Sequence, residues 1–212
     1  MFSEEYIKET TEILSKIDYK EVEKIVSYLY QMKYKANLHD NARLFILGVG
    51  GSAGTASHTV NDMRKLCNIE TYTPTDNVSE LTARVNDEGW ESSFIEWLKV
   101  SRLNSNDVIL ILSVGGGSSE KNISMNLVKS IDYAKEVGAK ILGIVGRDGG
   151  YTKKIADACL VIPTISEDRI TPHTEGLCSV ILHLIVSHPL LKIAQTKWES
   201  VNSTLKNTMR CV

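Results

Sequence analysis

From Arg43 onward, short apolar runs alternate with longer segments of helical periodicity. The runs predict β-strands and the longer segments predict α-helices. The predicted strands cover residues 43–47, 69–73, 107–112, 140–145 and 158–163, and the predicted helices cover residues 52–67, 90–101, 118–137 and 171–194. The third and fourth strands are apolar on both faces, which is typical of a parallel sheet covered by helices on both sides.

Residues 3–38 show helical periodicity with two apolar stripes, and Asp18 is the predicted cap between two helices. These helices need the sheet or a neighbouring subunit to bury their apolar faces. We therefore predict a single domain over residues 1–212, in which residues 1–40 form an N-terminal helical arm. The predicted fold is a three-layer, doubly wound α/β fold with a five-stranded parallel sheet.

Two glycine-rich turns each join a predicted strand to a helix, at Gly48-Val49-Gly50-Gly51-Ser52 and at residues 113–119. Such turns expose backbone N–H groups beside a helix N-terminus, where phosphate binds well. Ser52 is also a predicted helix cap. Each turn alone is equally consistent with an ordinary tight connection, but two of them at strand ends favour a phosphate site.

Composition narrows the functional classes. The chain has 212 residues, 42% of them hydrophobic, which is enough for a buried core, and a net charge of -2 gives no electrostatic reason to expect nucleic acid or an anionic membrane as partner. Its four cysteines form no CxxC pair, which favours a reducing compartment. The N-terminus lacks a signal-peptide pattern, and no apolar run approaches the roughly 20 residues of a membrane span. We expect a cytoplasmic protein.

Several side chains could carry chemistry. His58 and Asp62 lie one helical turn apart and could form a metal site or an acid–base pair, although a solvated surface pair has the same spacing. Glu175 falls in the first turn of the last predicted helix, where the helix dipole favours a carboxylate for purely structural reasons. His183 lies in an apolar stretch that would also suit a core histidine.

Taken together, these motifs resemble the sugar isomerase (SIS) family, and more narrowly the phosphoheptose isomerases, over nearly the whole chain. The resemblance implies a substrate turn in which Val49 replaces an asparagine, and a phosphate loop over residues 113–118 in which Val114 and Gly115 replace two hydroxyl residues. The substrate-binding set implied by the resemblance is Val49, Gly50, Gly51, Ser52, Asp62, Asn86, Asp87, Ser113, Val114, Gly115, Ser118 and Glu175.

The resemblance also implies a metal and acid–base set at His58, Asp62, Glu175 and His183, in which Asp62 replaces a glutamate and Glu175 a glutamine. Two carboxylates and two imidazoles suit a divalent metal, and we expect Zn²⁺. Asp62 and His183 are the predicted proton-transfer residues, with Glu175 as substitute or partner. On one straight helix Glu175 and His183 would lie about 12 Å apart. Either Glu175 precedes the helix, or neighbouring subunits share the site, which is our prediction.

The activity implied by the resemblance is aldose–ketose isomerisation of sedoheptulose 7-phosphate to D-glycero-D-manno-heptose 7-phosphate through an enediol. That product would supply heptose for lipopolysaccharide or capsule. The implied assembly is a homotetramer with sites between subunits. The alternative is a non-catalytic SIS module that binds a phosphosugar or a protein partner, as in relatives that regulate replication initiation.

Overall fold

A computed structural model describes residues 1–37 and 41–201. Its five strands form one parallel sheet in the order β2-β1-β3-β4-β5, which confirms the predicted fold class. The strands are β1 (Leu44–Gly48), β2 (Thr71–Tyr72), β3 (Val108–Ser113), β4 (Lys140–Val145) and β5 (Ala158–Val161). The connection after β1 leads to β2 on one side, and the connection after β3 leads to β4 on the other, so these two connections diverge.

Eight α-helices accompany the sheet in the described ranges. They are α1 (Phe2–Ser15), α2 (Tyr19–Asn37), α3 (Gly51–Cys67), α4 (Val78–Glu88), α5 (Ser93–Val100), α6 (Met125–Val137), α7 (Gly150–Ile155) and α8 (Ile170–Ser187). Asp18 caps α2 as predicted, because its Oδ1 accepts the backbone N–H of Lys20 at 3.0 Å. None of the described helices has the length and apolar character that crossing a bilayer would require.

The side chains of the central strands alternate between two hydrophobic cores. Leu44 and Ile46 of β1 pack with α2, α3 and α8 on one face of the sheet, whereas Phe45 and Leu47 pack with α5 and α6 on the other. The same alternation runs along β3. Both faces of the sheet are therefore covered, which explains why its strands read as continuous apolar runs.

Two predicted helices have different bounds in the structure. Residues 118–124 form a turn instead of the start of a helix, because Asn122 and Ser124 adopt positive φ angles of 52° and 51° that an α-helix excludes. At the other end of the domain, α8 stops at Ser187 instead of continuing to residue 194. His188 precedes Pro189 and is extended, with ψ at 134°, as expected for a residue before proline.

The helix α4 was not predicted, because its apolar stripe of Val78, Leu81 and Val85 is short and none of its residues is buried. Its stability comes from polar interactions. The Asn77 side chain accepts the backbone N–H of Glu80 at 3.2 Å, and Arg84 pairs with both Glu80 and Glu88 one turn away on either side. An N-cap followed three residues later by glutamate was the available sequence signal.

Candidate functional site

A cleft of about 300 Å³ opens where β1 and β3 end, between the two glycine-rich turns. The turn after β1 contributes Val49 and Ser52, and the turn after β3 contributes Ser113, Val114 and Gly115. Ligands of doubly wound sheets bind at this divergence of the strand connections. The structure therefore brings together the two turns that the sequence analysis singled out.

The first turn places the N-terminus of α3 at this cleft. Gly50 adopts a positive φ of 63° and precedes the helix, and its carbonyl oxygen accepts the N–H of Ala53 at 3.0 Å. Ser52 does not cap the helix as predicted, because it lies within the first turn and its side chain forms no capping hydrogen bond. Ser52 is instead a nearly buried residue that lines the cleft.

The glycines of the second turn serve backbone packing as well as the cleft. Gly116 has a φ of +68°, and a Cβ atom there would lie 2.0 Å from the carbonyl oxygen of Gly149. The Gly116 carbonyl accepts both the N–H and the hydroxyl of Thr152, at 2.9 and 2.8 Å. This close contact fixes the turn against the start of α7. The glycines that predicted a phosphate site therefore also serve the packing of the turn.

The structure brings His58, Asp62 and His183 together within one chain. The Nε2 atoms of His58 and His183 lie 3.1 Å apart, and Oδ2 of Asp62 lies 3.3 Å from the first and 3.6 Å from the second. Both imidazoles are more than half exposed, whereas the Asp62 side chain is 13% exposed. His183 is thus neither a core residue nor distant from Asp62.

This cluster has the donors and the spacing of a zinc site. Two imidazole nitrogens and a carboxylate oxygen are typical zinc ligands, and bonds of about 2.0–2.1 Å in a tetrahedron separate neighbouring donors by about 3.3 Å. The three observed separations are close to that value. Asn61 donates a hydrogen bond from Nδ2 to Oδ1 of Asp62 at 3.0 Å, which orients Oδ2 toward the imidazoles.

Glu175 lies apart from this cluster. It belongs to the same helix as His183, so it does not precede α8, and the metal-type group found among the described residues consists of His58, Asp62 and His183 alone. Its carboxylate lies against Gly51, where an added Cβ would be 2.4 Å from Oε2. Glu175 therefore occupies the N-terminus of α3, beside the first turn.

The position of α8 is fixed from the N-terminal side. Glu9 on α1 accepts hydrogen bonds from Arg169 Nε at 2.8 Å and from His173 Nε2 at 2.8 Å, and the ring of Tyr6 stacks on His173. The hydrogen bond from Arg169, followed by that from His173, lowers the pKa of Glu9 to about 2. His173 lies within one turn of Glu175, so these contacts hold the start of α8 in place.

Asn86 and Asp87, which the family resemblance implies as substrate-binding residues, occupy the last turn of α4. Their exposed side chains form a hydrogen bond with each other, from Asn86 Nδ2 to Asp87 Oδ1 at 2.7 Å. Within the described part of the chain, the structure does not join them to either glycine-rich turn or to the histidine cluster by a hydrogen bond.

One residue of the cleft was missed. Arg147 follows β4 and lines the cleft, with its Cδ 3.9 Å from the position of a Cβ on Gly115. The available signal was the sequence Gly146-Arg147-Asp148-Gly149-Gly150, a third glycine-bearing turn after a predicted strand.

Sequence comparisons agree with this architecture. The SIS domain family matches residues 5–146. The phosphoheptose isomerase of Helicobacter pylori strain Shi470 is 30% identical over 153 residues, which cover 70% of this chain and 74% of that protein. The lincomycin biosynthesis protein LmbN of Streptomyces lincolnensis is 34% identical over 162 residues, or 72% of this chain, but the match spans only 55% of that longer relative.

The fold is also that of a solved family member. The structure of phosphoheptose isomerase GmhA from Neisseria gonorrhoeae superimposes with a TM-score of 0.71 at 22% identity, and the match covers 87% of this chain and 93% of that one. The family match covers two-thirds of the sequence, and phosphoheptose isomerases are among the similar proteins. This chain therefore belongs to the SIS-domain family, among its phosphoheptose isomerase-like members.

Proposed function

We propose that this protein is a sugar phosphate isomerase that interconverts an aldose and a ketose, with sedoheptulose 7-phosphate as the ketose. The observation that carries the proposal is the cluster of His58, Asp62 and His183, two of which lie on α3, the helix whose first turn lines the cleft through Ser52. His58 lies six residues beyond Ser52 on α3, about 9 Å along the helix axis. That separation leaves room for an extended sugar to reach from the cleft to the cluster.

Asp62 and His183 are the proposed proton-transfer residues. Isomerisation removes a proton from the carbon beside the carbonyl, which gives an enediol, and returns a proton to the neighbouring carbon. A carboxylate and an imidazole are suitable acids and bases for this task, and each contributes about 10²–10⁴-fold when positioned within hydrogen-bonding reach. Each also has a second polar atom, Oδ1 or Nδ1, in addition to the atom facing the cluster.

The same cluster is the proposed zinc site, with His58, Asp62 and His183 as ligands. When bound, zinc supplies a Lewis acid that polarises the sugar carbonyl. Asn61 would keep the Asp62 carboxylate oriented through its hydrogen bond to Oδ1. Glu175 is not proposed as a ligand from the same chain, because its carboxylate lies against Gly51.

The position of Glu175 revises where we place the phosphate. Both glycine-rich turns were predicted to form the phosphate site, but a carboxylate beside Gly51 repels a phosphate dianion at the first turn. We therefore place the phosphate at the turn after β3. Glu175 is then available to accept hydrogen bonds from sugar hydroxyls, and the backbone N–H groups of the first turn are available to donate hydrogen bonds to them.

We further propose that the protein is a homotetramer whose neighbouring subunits complete the site. Val180 and Leu184, which flank His183 on α8, are both nearly half exposed, and Asn86 and Asp87 lie exposed on α4. A second copy of the chain could cover Val180 and Leu184 and bring its own Asn86 and Asp87 to the neighbouring cleft. Light scattering coupled to size-exclusion chromatography tests this assembly, and a fully active monomer would contradict it.

The activity is tested by incubating the purified protein with sedoheptulose 7-phosphate and Zn²⁺ and identifying the product by NMR. We expect a seven-carbon aldose phosphate. His183→Ala should reduce the rate by about 10²-fold or more. His188→Ala is the matched control, because His188 ends the same helix and pairs with Glu23, outside the cluster; its rate should match that of the wild type.

No aldose product from the wild-type protein would refute the isomerase. If the protein still bound sedoheptulose 7-phosphate without converting it, the alternative of a non-catalytic sugar-phosphate-binding module would be supported. An unchanged rate in His183→Ala would instead refute the role of the cluster.

A further inference from the structure

Arg147 is held at the cleft by the backbone around it. It lies two residues beyond Val145, the last residue of β4, which pairs in register with Ser113 of β3. Gly146 packs tightly, since a Cβ there would lie 2.4 Å from Thr174 Oγ1 and 2.8 Å from the Val114 carbonyl oxygen. Arg147 itself has a φ of +52°, a conformation that non-glycine residues seldom adopt. The local chain therefore positions this side chain beside the turn after β3.

The guanidinium of Arg147 has no partner within the described residues. It forms no ion pair, side-chain hydrogen bond or ring contact there, unlike Arg43, Arg84 and Arg169, each of which pairs with a carboxylate. Arg147 is also the one cationic side chain among the described residues that line the 300 Å³ cleft. An exposed arginine left unpaired beside a cleft is available to an anionic ligand.

The rest of the turn offers neutral donors only. The backbone N–H groups of Gly115 and Gly117 donate no hydrogen bond within the described ranges. Ser113 and Ser118 each accept one backbone N–H through Oγ, from Gly116 and Lys121, so their hydroxyl protons remain available. Val114 and Gly115 have no polar side-chain atom. Neutral donors can cradle a phosphate, but they leave its two negative charges uncompensated.

We propose that Arg147 binds the phosphate of the sugar substrate in the 300 Å³ cleft, together with the N–H group of Gly115 and the hydroxyl of Ser113, which line the same cleft. This inference rests on the proposed function and extends it to a residue outside both glycine-rich turns. Arginine suits the role because its planar guanidinium forms paired, charge-assisted hydrogen bonds with phosphate oxygens. Glu175 at the first turn reinforces this choice, since its charge repels the phosphate toward Arg147.

A second cleft of about 440 Å³ is lined by Gly117 and Ser118 of the same turn and also by Arg147. Lys121, Lys153 and Lys154 line this second cleft but not the first. A phosphate bound there would depend on these lysines as well as on Arg147. Lys153→Gln is therefore the control variant that separates the two locations.

The experiment measures binding by calorimetry for two ligands, sedoheptulose 7-phosphate and unphosphorylated sedoheptulose. In Arg147→Gln, the Kd of the phosphorylated sugar should rise about tenfold or more, because a charge-assisted hydrogen bond is lost, while the Kd of the neutral sugar stays within about twofold. Arg147→Lys should give an intermediate loss, since it keeps the charge but not the paired geometry. In steady-state kinetics, Arg147→Gln should raise KM with little change in kcat.

Three results would overturn the proposal. One is an unchanged Kd for sedoheptulose 7-phosphate in Arg147→Gln, and another is an equal rise for both sugars, which would indicate a general distortion. The third is a loss in Lys153→Gln as large as in Arg147→Gln, which would place the phosphate in the second cleft. Arg147-dependent binding without conversion would refute the isomerase and leave the role of Arg147 intact, so the two proposals fail separately.

Discussion

Two adjacent glycines of the second turn should respond very differently to an added methyl group. A Cβ on Gly116 would lie 2.0 Å from the carbonyl oxygen and 2.6 Å from the carbonyl carbon of Gly149, both of them backbone atoms, and Gly116 has a φ of +68°. A Cβ on Gly115 would find Arg147 Cδ at 3.9 Å as its nearest neighbour, which is ordinary van der Waals contact. Gly116→Ala and Gly115→Ala are therefore a matched pair.

The expected free-energy cost of Gly116→Ala has two sources. The left-handed backbone conformation costs an alanine about 1–2 kcal/mol relative to glycine. The clash displaces the Gly149 backbone and strains the two hydrogen bonds that Thr152 donates to the Gly116 carbonyl, each contributing about 1 kcal/mol. Together these costs reach about 3 kcal/mol. For a chain of this size, that corresponds to a fall in Tm of about 6–12 °C.

Thermal unfolding of the two variants beside the wild type is the measurement. Gly115→Ala should remain within about 1 kcal/mol of the wild type, because it meets no clash and restricts the unfolded chain slightly. Equal stability of the two variants would refute the conclusion that the turn is fixed by contact between the backbones of Gly116 and Gly149.

Three further outcomes are expected. Asp107→Ala should lower the free energy of unfolding by about 3 kcal/mol or more in urea titration, because the fully buried Asp107 carboxylate pairs with Arg43 at 2.8 Å. Between pH 4.5 and pH 2, the Tm of the wild type should fall more steeply than that of Glu9→Gln. Folding lowers the pKa of Glu9 from its ordinary value of 4.5 to about 2. The Glu9 carboxylate therefore stabilises the protein above that range and loses this contribution as it is protonated. Protein purified without chelator should contain about one zinc per chain by elemental analysis, and His58→Ala should lose most of it.

A specific result would contradict each of these three expectations. A urea midpoint unchanged in Asp107→Ala would mean that the Arg43 pair contributes nothing to stability. Parallel pH profiles for Glu9→Gln and the wild type would refute the Glu9 network. Equal zinc content in His58→Ala and the wild type would place any metal elsewhere.

The sequence predicted the sheet well because its signals are local. Strands such as β3 and β4 are unbroken apolar runs bounded by polar turns, and their observed bounds differ by at most one residue from the predicted ones. The helix α4 escaped prediction because its apolar stripe is short, and side-chain ion pairs and a cap add to its support. The helix predicted from residue 118 failed because the left-handed conformations of Asn122 and Ser124 have no unique sequence signature.

The site residues also fall into those that could be predicted from local spacing and those that long-range contacts bring into place. The spacing of His58 and Asp62 on one helix was readable from the sequence, but the approach of His183 depends on how α8 packs on α3 and was expected only from the family resemblance. The position of Glu175 against Gly51 and that of Arg147 beside Gly115 depend on contacts between separate connections of the sheet. No periodicity or spacing within a single segment reports such contacts.

The central claim is that the carboxylate of Asp62, beside the paired imidazoles, moves the substrate proton. It is tested most directly by incubating the wild type and Asp62→Asn with sedoheptulose 7-phosphate in D₂O, at matched bound fractions, and following deuterium incorporation by NMR. We expect deuterium at the carbon beside the carbonyl in the wild type and a rate lower by about 10²-fold or more in Asp62→Asn. An equal rate of incorporation in the two proteins would contradict it.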